Sequence, residues 1–230
     1  MNDLVLHPGP VLVLAPHPDD EALGCGRLLS AVWGGGGAAH VACLTDGAAS
    51  HPGSRTHPPA RMRALRRDEM LRAVRRLGGR GEDVTFLDLP DAASHVTPGP
   101  GDALAPRIGA LTDRLGARTL VAPSPLDPHC DHEAAAAAAR RVTEARPGLR
   151  LLYYPVWSRW VGPERIAPRP GGAEPLVWRA GDPGAKRAAI DSHDSQQGRV
   201  VRDDPEGFEM PEGFAAFFAD APEIYFAAVT

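Results

Sequence analysis

Two spacings of apolar residues alternate along the chain. Short β-branched and leucine runs at 11–15, 41–44, 84–89, 119–122 and 151–156 read as buried strands. Between them, apolar residues recur every three or four positions and predict helices over 21–33, 60–77, 104–115 and 133–144, with a short late helix over 186–194. Punctuation agrees with these limits. Pro16 and Pro123 end two strands, Asp46-Gly47 and Pro90-Asp91 follow two others, and the glycines at 34–37 and 78–79 stop two helices. The alanine run at 134–139 is low in complexity but has high helix propensity. Strands alternating with helices imply right-handed crossovers and an α/β fold with a mostly parallel central sheet. Residues 162–183, rich in Pro and Gly, are expected to be irregular.

Composition narrows the class. A chain of 230 residues with 43% hydrophobic and 23% charged residues is ordinary for a globular domain. Without an internal repeat or a clear boundary, it reads as one domain over 1–230. The net charge of −4 gives no basic footprint for nucleic acid. No apolar run reaches the ~20 residues of a membrane span, and the N-terminus lacks the pattern of a signal peptide. Three cysteines do not suggest a disulfide framework, so a reducing cytoplasm is the expected location.

Candidate chemistry falls at the strand ends, where open α/β sheets bind ligands. After the first strand comes A-P-H-P-D-D-E, with His17, Asp19, Asp20 and Glu21. After the fourth comes D-P-H-C-D-H-E, with Asp127, His129, Asp131 and His132 opening a helix. Asp46 and Asp91 follow the second and third strands. A catalytic zinc site takes three imidazole or carboxylate ligands. The first loop can supply a His and an Asp, and either histidine of the second segment can complete the set. Spare carboxylates remain to act as base and as orienters. The plainer reading is that Asp20 or Asp131 is a helix N-cap.

The same residues carry a family resemblance. A-P-H-P-D-D-E-A-L-G-C-G resembles the A-H-P-D-D-E signature of the LmbE-like (PIG-L) N-deacetylases, and H-C-D-H resembles their H-P-D-H motif with Cys130 in place of Pro. L-T-D-G at 44–47, the R-x-x-E helix at 66–78, L-P-D at 89–91 and K-R-A-A-I-D-S-H-D-S-Q at 186–196 follow in the family's order. The resemblance implies a Rossmann-like three-layer sandwich that holds one Zn2+, with another divalent metal such as Fe2+ suited to the same ligand types. It implies hydrolysis of an acetamido group on an N-acetylglucosamine-type sugar. Carried over by position, His17, Asp20 and His132 match the metal ligands and Asp19 matches the general base. His129 matches the imidazole that stabilises the oxyanion or protonates the leaving amine, and Asp131, between His129 and His132, orients one of those two. Arg66 and Asp91 match positions that line the substrate pocket.

Other residues have plainer expectations. Cys25 and Cys43 read as small buried hydrophobes, and helical geometry turns Cys130 away from the face of His129 and His132. Gly24 and Gly26 do not make a dinucleotide fingerprint. His51 and His57 are expected to be solvated in a loop. Trp157 and Trp160 suit either sugar stacking or packing, and Ser192 and Ser195 lack a nucleophile elbow. The expected partner is a small N-acetylated molecule, and homo-oligomerisation stays open. The rival readings are a metal-dependent amidase on a non-sugar acyl-amine and a binding protein on the same fold. Substrate choice is assigned to loops at 49–59, 94–101 and 157–183.

Overall fold

A computed structural model describes residues 2–93, 100–160 and 169–228. Eight strands form one sheet: β1 (Asn2–Asp3), β2 (Val11–Ala15), β3 (Ala39–Thr45), β4 (Val84–Leu89), β5 (Thr119–Pro123), β6 (Arg150–Tyr154), β7 (Pro175–Trp178) and β8 (Glu223–Ala227). Among the described residues seven α-helices accompany them: α1 (Asp20–Gly34), α2 (Pro59–Arg76), α3 (Pro100–Leu115), α4 (Cys130–Glu144), α5 (Trp157–Trp160), α6 (Pro183–Ile190) and α7 (Phe214–Asp220). The strand order is β1-β7-β8-β6-β5-β2-β3-β4. The five strands read from the sequence are its parallel core, β6-β5-β2-β3-β4. β8 pairs antiparallel to both β6 and β7, while β1 adds parallel to β7. Strand β7 lies within the stretch expected to be irregular.

The period of two decides which layer each side chain joins. Val11, Val13 and Ala15 of β2 pack with Val41 and Cys43 of β3 beneath α1, α2, α6 and α7. Leu12 and Leu14 face the other way and pack with Ala42, Leu120 and Ala122 under α3 and α4. The result is a mostly parallel sheet between two helical layers, as the alternation of elements implies. Gly24 lets α1 lie close on β6, because a Cβ there would stand 2.1 Å from the Tyr154 ring.

The order of the strands fixes where a ligand can sit. The chain steps from β2 outward to β3 and β4, then returns to the other flank of β2 for β5 and β6. The loops after β2 and β5 therefore leave adjacent strands in opposite directions and open a crevice at their carboxyl ends. Both histidine-aspartate segments occupy that crevice. Among the described residues, no helix is long and apolar enough to cross a membrane.

Candidate metal centre and active site

Backbone hydrogen bonds from their own side chains shape the first loop. Asp20 Oδ2 accepts from the His17 N–H at 3.0 Å, and Glu21 Oε2 accepts from the Asp19 N–H at 3.0 Å. Asp20 is the first residue of α1, and the N-cap position belongs to Asp19. Asp19 makes no side-chain cap and holds a φ of 153°, outside the regions open to ordinary residues. Its carboxylate is thereby left to face the cavity. The second segment resolves its capping alternative in the same way. The cap of α4 is the His129 ring, whose Nδ1 accepts from the Asp131 N–H at 3.2 Å. Neither Asp20 nor Asp131 is spent on capping.

Two buried imidazoles are turned toward one carboxylate oxygen. His132 Nδ1 lies 3.0 Å from Asp127 Oδ2, and His17 Nε2 lies 2.9 Å from Asp131 Oδ2 and 3.2 Å from Asp91 Oδ1. Ionised carboxylates only accept, so those ring nitrogens carry the protons. The opposite nitrogens, His17 Nδ1 and His132 Nε2, stand 3.4 and 3.3 Å from Asp20 Oδ2. His132 Nε2 is buried and makes no hydrogen bond. Two nitrogen lone pairs and a carboxylate oxygen thus converge on one point. Such a borderline nitrogen and oxygen donor set, with each histidine backed by a carboxylate, fits a divalent cation of the zinc class.

The charges agree. Burial works against protonation of His132, but the charge of Asp20 and the bond to Asp127 outweigh it and hold that ring up at about 9. His17 is likewise held well above its ordinary value, with burial outweighed by its bonds to Asp131, Asp20 and Asp91. A cation is what this cluster of carboxylates calls for, whether a proton or a metal. Asp127 is itself anchored, accepting from the Val156 N–H and Ser158 N–H, each at 2.9 Å.

His129 is built differently. Its ring is within reach of the other two, with ligand atoms of His17, His129 and His132 all within 4.8 Å of one another. Its Nδ1 lone pair is engaged as the cap of α4, so Nε2 carries the proton. Burial, with the neighbouring His17 and His132, pushes its pKa down to about 4. The ring is therefore neutral at pH 7 and offers an N–H.

Asp19 lies beside these rings. Burial pushes its carboxyl up to about 6, against the pull of Arg66. Arg66 Nη2 donates to Asp19 Oδ2 at 3.2 Å and to the Pro18 carbonyl at 3.0 Å, while Nη1 donates to the Gly47 carbonyl at 3.1 Å. This buried guanidinium ties together the loops after β2 and β3. Asp91 Oδ2 accepts from the Ala49 N–H at 2.9 Å, so the loop after β4 joins the same knot. Arg66, Asp91, Asp19, Asp20, His17 and His129 all line one cavity of about 410 Å³.

All eight residues singled out from the sequence therefore meet at one end of the sheet. Asp131 is expected to orient a histidine of its own motif, but its carboxylate lies on His17 of the other motif. Asp127, which orients His132, stood in the quoted segment without a role. His51 and His57 are buried, not solvated. Trp157 lines the cavity, whereas Trp160 stacks on Phe214 and Phe217. Cys25 and Cys43 are buried, and the Cys130 Sγ points to Asp131 Oδ1 at 3.8 Å. The R-x-x-E helix has a structural use: Glu69 accepts from the Ser195 N–H at 2.8 Å and from its hydroxyl at 2.6 Å. The loop at 49–59 contributes to the cavity through Ala49, Ser50 and Pro52. Residues 94–99 and 161–168 of the other two loops lie outside the described residues. Lining that the sequence did not signal comes from Glu206, Phe208, Met210 and Phe214, and Gln196 of the late segment joins it.

Residues 12–143 match the family described as PIG-L, GlcNAc-PI de-N-acetylase. The 2'-N-acetylparomamine deacetylase of Streptomyces fradiae is 31% identical over 163 residues, which cover 64% of this chain and 57% of that protein. The chain thus spans little more than half the length of this curated relative. Among solved structures, the A40926 pseudoaglycone deacetylase Dbv21 superposes with a TM-score of 0.71 at 20% identity, covering 95% of this chain and 96% of that one. The 4-carboxy-2-hydroxymuconate hydratase GalB of Pseudomonas putida KT2440 superposes with a TM-score of 0.65 at 18% identity, covering 96% and 98%. The fold alone hosts more than one chemistry, and the site must carry the argument. Both strand-end motifs lie inside a family match that covers more than half of the chain, and the chain belongs to the PIG-L family.

Proposed function

We propose that this protein is a zinc-dependent N-deacetylase that removes the acetyl group from an N-acetylated amino sugar. The observation that carries this reading is the convergence of His17 Nδ1, His132 Nε2 and an Asp20 oxygen beside the buried carboxyl of Asp19. The family description and the relative's name both point to N-acetylated amines as substrates.

In this reading His17, Asp20 and His132 hold the metal, which when bound polarises the acetyl carbonyl and acidifies water. Asp19 accepts the proton of the attacking water. A carboxyl at about 6 is mostly ionised at pH 7 and still basic enough for the task. Arg66 fixes one of its oxygens, so the proton goes to the other. His129 points a neutral N–H at the oxygen that becomes negative on attack. The proton held by Asp19 then passes to the nitrogen, and the C–N bond breaks to give acetate and a free amine. Asp131 keeps the His17 ring in the tautomer that leaves Nδ1 open.

Acetate release from N-acetylated amino sugars tests the reading. Zinc-loaded protein should release acetate, chelated protein should not, and Asp19→Asn should keep zinc while losing about 10²–10⁴-fold in kcat. Zinc-loaded protein that binds these sugars without turnover would make it a binding protein. Release only from acyl-amines that are not sugars would move it to the amidase reading.

A further inference from the structure

The cavity beside Asp19 has two unlike kinds of lining. One is apolar and aromatic: Leu23, Val156, Trp157, Phe208, Met210 and Phe214. Trp157 lies edge-to-face with Phe208, their ring centroids 5.9 Å apart. Such a surface suits the apolar face of a sugar ring. The other consists of hydrogen-bond acceptors that have no partner among the described residues. Gln196 is buried, and its Nε2 donates to Ser195 Oγ at 2.9 Å, whose own proton goes to Glu69. That arrangement fixes the amide and leaves the Gln196 carbonyl oxygen without a partner among the described residues. The carboxylate of Glu206, at the rim, makes no ion pair or hydrogen bond with any described residue.

Free cations are missing from the described part of the same surface. Among the described lining residues Arg66 is the only guanidinium or ammonium. It is buried and already committed to Asp19 and to the carbonyls of Pro18 and Gly47. Away from the candidate metal ligands, a phosphate or carboxylate on the substrate would meet acceptors and, among the described residues, no free cation, which costs desolvation without a return. An ammonium would meet the opposite.

We propose that the cavity selects an N-acetylated sugar that also carries a free ammonium group, which Glu206 holds at the rim. This rests on the deacetylase reading of the same site and narrows its substrate class to cationic amino sugars, with phosphorylated sugars rejected.

The test uses sugars differing in one charge. Chitobiose with a single N-acetyl group, on the non-reducing ring, carries one ammonium, and its fully N-acetylated twin carries none. N-acetylglucosamine 1-phosphate supplies the anion. The zinc-loaded protein should release acetate, per acetyl group, about fivefold more efficiently (kcat/KM) from the ammonium sugar than from its twin, the range of an exposed ion pair. That advantage should shrink with added salt, and the phosphate should be the poorest of the three. Glu206→Gln should bring the ratio close to one, and Glu206→Lys should shift preference toward the phosphate. Calorimetry with glucosamine and glucose 1-phosphate reads the same preference without turnover. If no probe releases acetate, the deacetylase reading falls, and calorimetry still decides the charge preference. Equal efficiency on the charged and neutral twins, a preference for phosphate, or an undiminished ratio in Glu206→Gln would overturn the proposal.

Discussion

His193 holds Glu21 from one side while Glu21 holds the backbone of Asp19 from the other. His193 Nε2 lies 3.0 Å from Glu21 Oε1, and Glu21 Oε2 accepts the Asp19 N–H at 3.0 Å. Both side chains are fully buried. This chain of contacts links the late segment after α6 to the strained residue that carries the candidate base. Losing its rigidity should misplace the Asp19 carboxylate. His193→Gln should lower kcat about ten- to a hundredfold while zinc content stays intact. Burial works against the charge on His193, but Glu21 outweighs it and raises the pKa. A raised pKa gives stability that is complete below the unfolded value of about 6.5 and fades as pH rises through the folded one. The difference in Tm between wild type and His193→Gln should therefore be largest in mild acid and smaller in alkali. A constant difference across that window would show that the pair does not titrate as described.

Asp203 fastens the loop that precedes α2. Its carboxylate accepts from the hydroxyls of Ser54 and Thr56 at 2.7 and 2.8 Å and from the N–H groups of Arg55 and Thr56, both at 2.9 Å. The Ser54 and Thr56 bonds hold its pKa well below the usual carboxylate range. This contribution is present above the unfolded value of about 3.9 and is lost as pH falls through the folded one. Asp203→Asn should speed amide exchange at Arg55 and Thr56 at neutral pH. It should also raise KM, because Ser50 and Pro52 at one end of this loop line the cavity. Unchanged exchange at both amides would remove the fastening role.

The parallel half of the sheet was legible because its strands are pure in kind. β2, β3 and β5 are buried on both faces, and each contains an apolar run of three or more residues. The antiparallel half was not. β7 begins on Pro175 in a stretch full of Pro and Gly, and β8 opens on a glutamate. That residue, Glu223, is buried, pairs with Lys186 at 2.8 Å and accepts from the Arg27 and Leu28 N–H groups of α1. A charged residue that belongs to the core defeats any hydrophobic pattern. The two histidine-aspartate clusters at the strand ends were legible because each is local, spanning a few positions after one strand. Their supports were not: His193 is 172 positions from Glu21, and no spacing encodes such a contact.

Gly24 sits where α1 meets β6. A methyl group there would stand 2.1 Å from Tyr154 Cδ2, and Tyr154 cannot swing away because its hydroxyl donates to the Leu14 carbonyl at 2.8 Å. Gly24→Ala should destabilise by about 1–3 kcal/mol, the range for an overpacked core, even though alanine is the better helix former. The double variant Gly24→Ala, Tyr154→Leu should be less damaged than the two single losses added together. Simple additivity in denaturant unfolding would show that the two residues do not contend for the same space.

The two histidines of H-C-D-H differ in what engages their ring nitrogens, and zinc uptake can tell them apart. His132 has its Nδ1 on Asp127 and an unpartnered Nε2 facing Asp20, whereas His129 uses its Nδ1 to cap α4. His132→Ala should fail to retain zinc, because a carboxylate and one imidazole make a poor site. His129→Ala should retain zinc, turn over slowly and lose the cap of α4, at a stability cost of about 1 kcal/mol. Asp127→Asn is the finer probe. Asparagine keeps the shape and can still accept from His132 Nδ1 and the Val156 N–H, but its NH2 then faces the Ser158 N–H, and the negative charge that makes Nε2 a strong donor is gone. Zinc affinity should fall about 10–100-fold, the usual loss for a ligand's carboxylate partner, with the fold intact. Equilibrium dialysis of the three variants separates the outcomes. A zinc-free His129 variant beside a zinc-loaded His132 variant would exchange the two assignments. Full affinity in Asp127→Asn would mean that packing alone, and not the charge of Asp127, sets the orientation of His132.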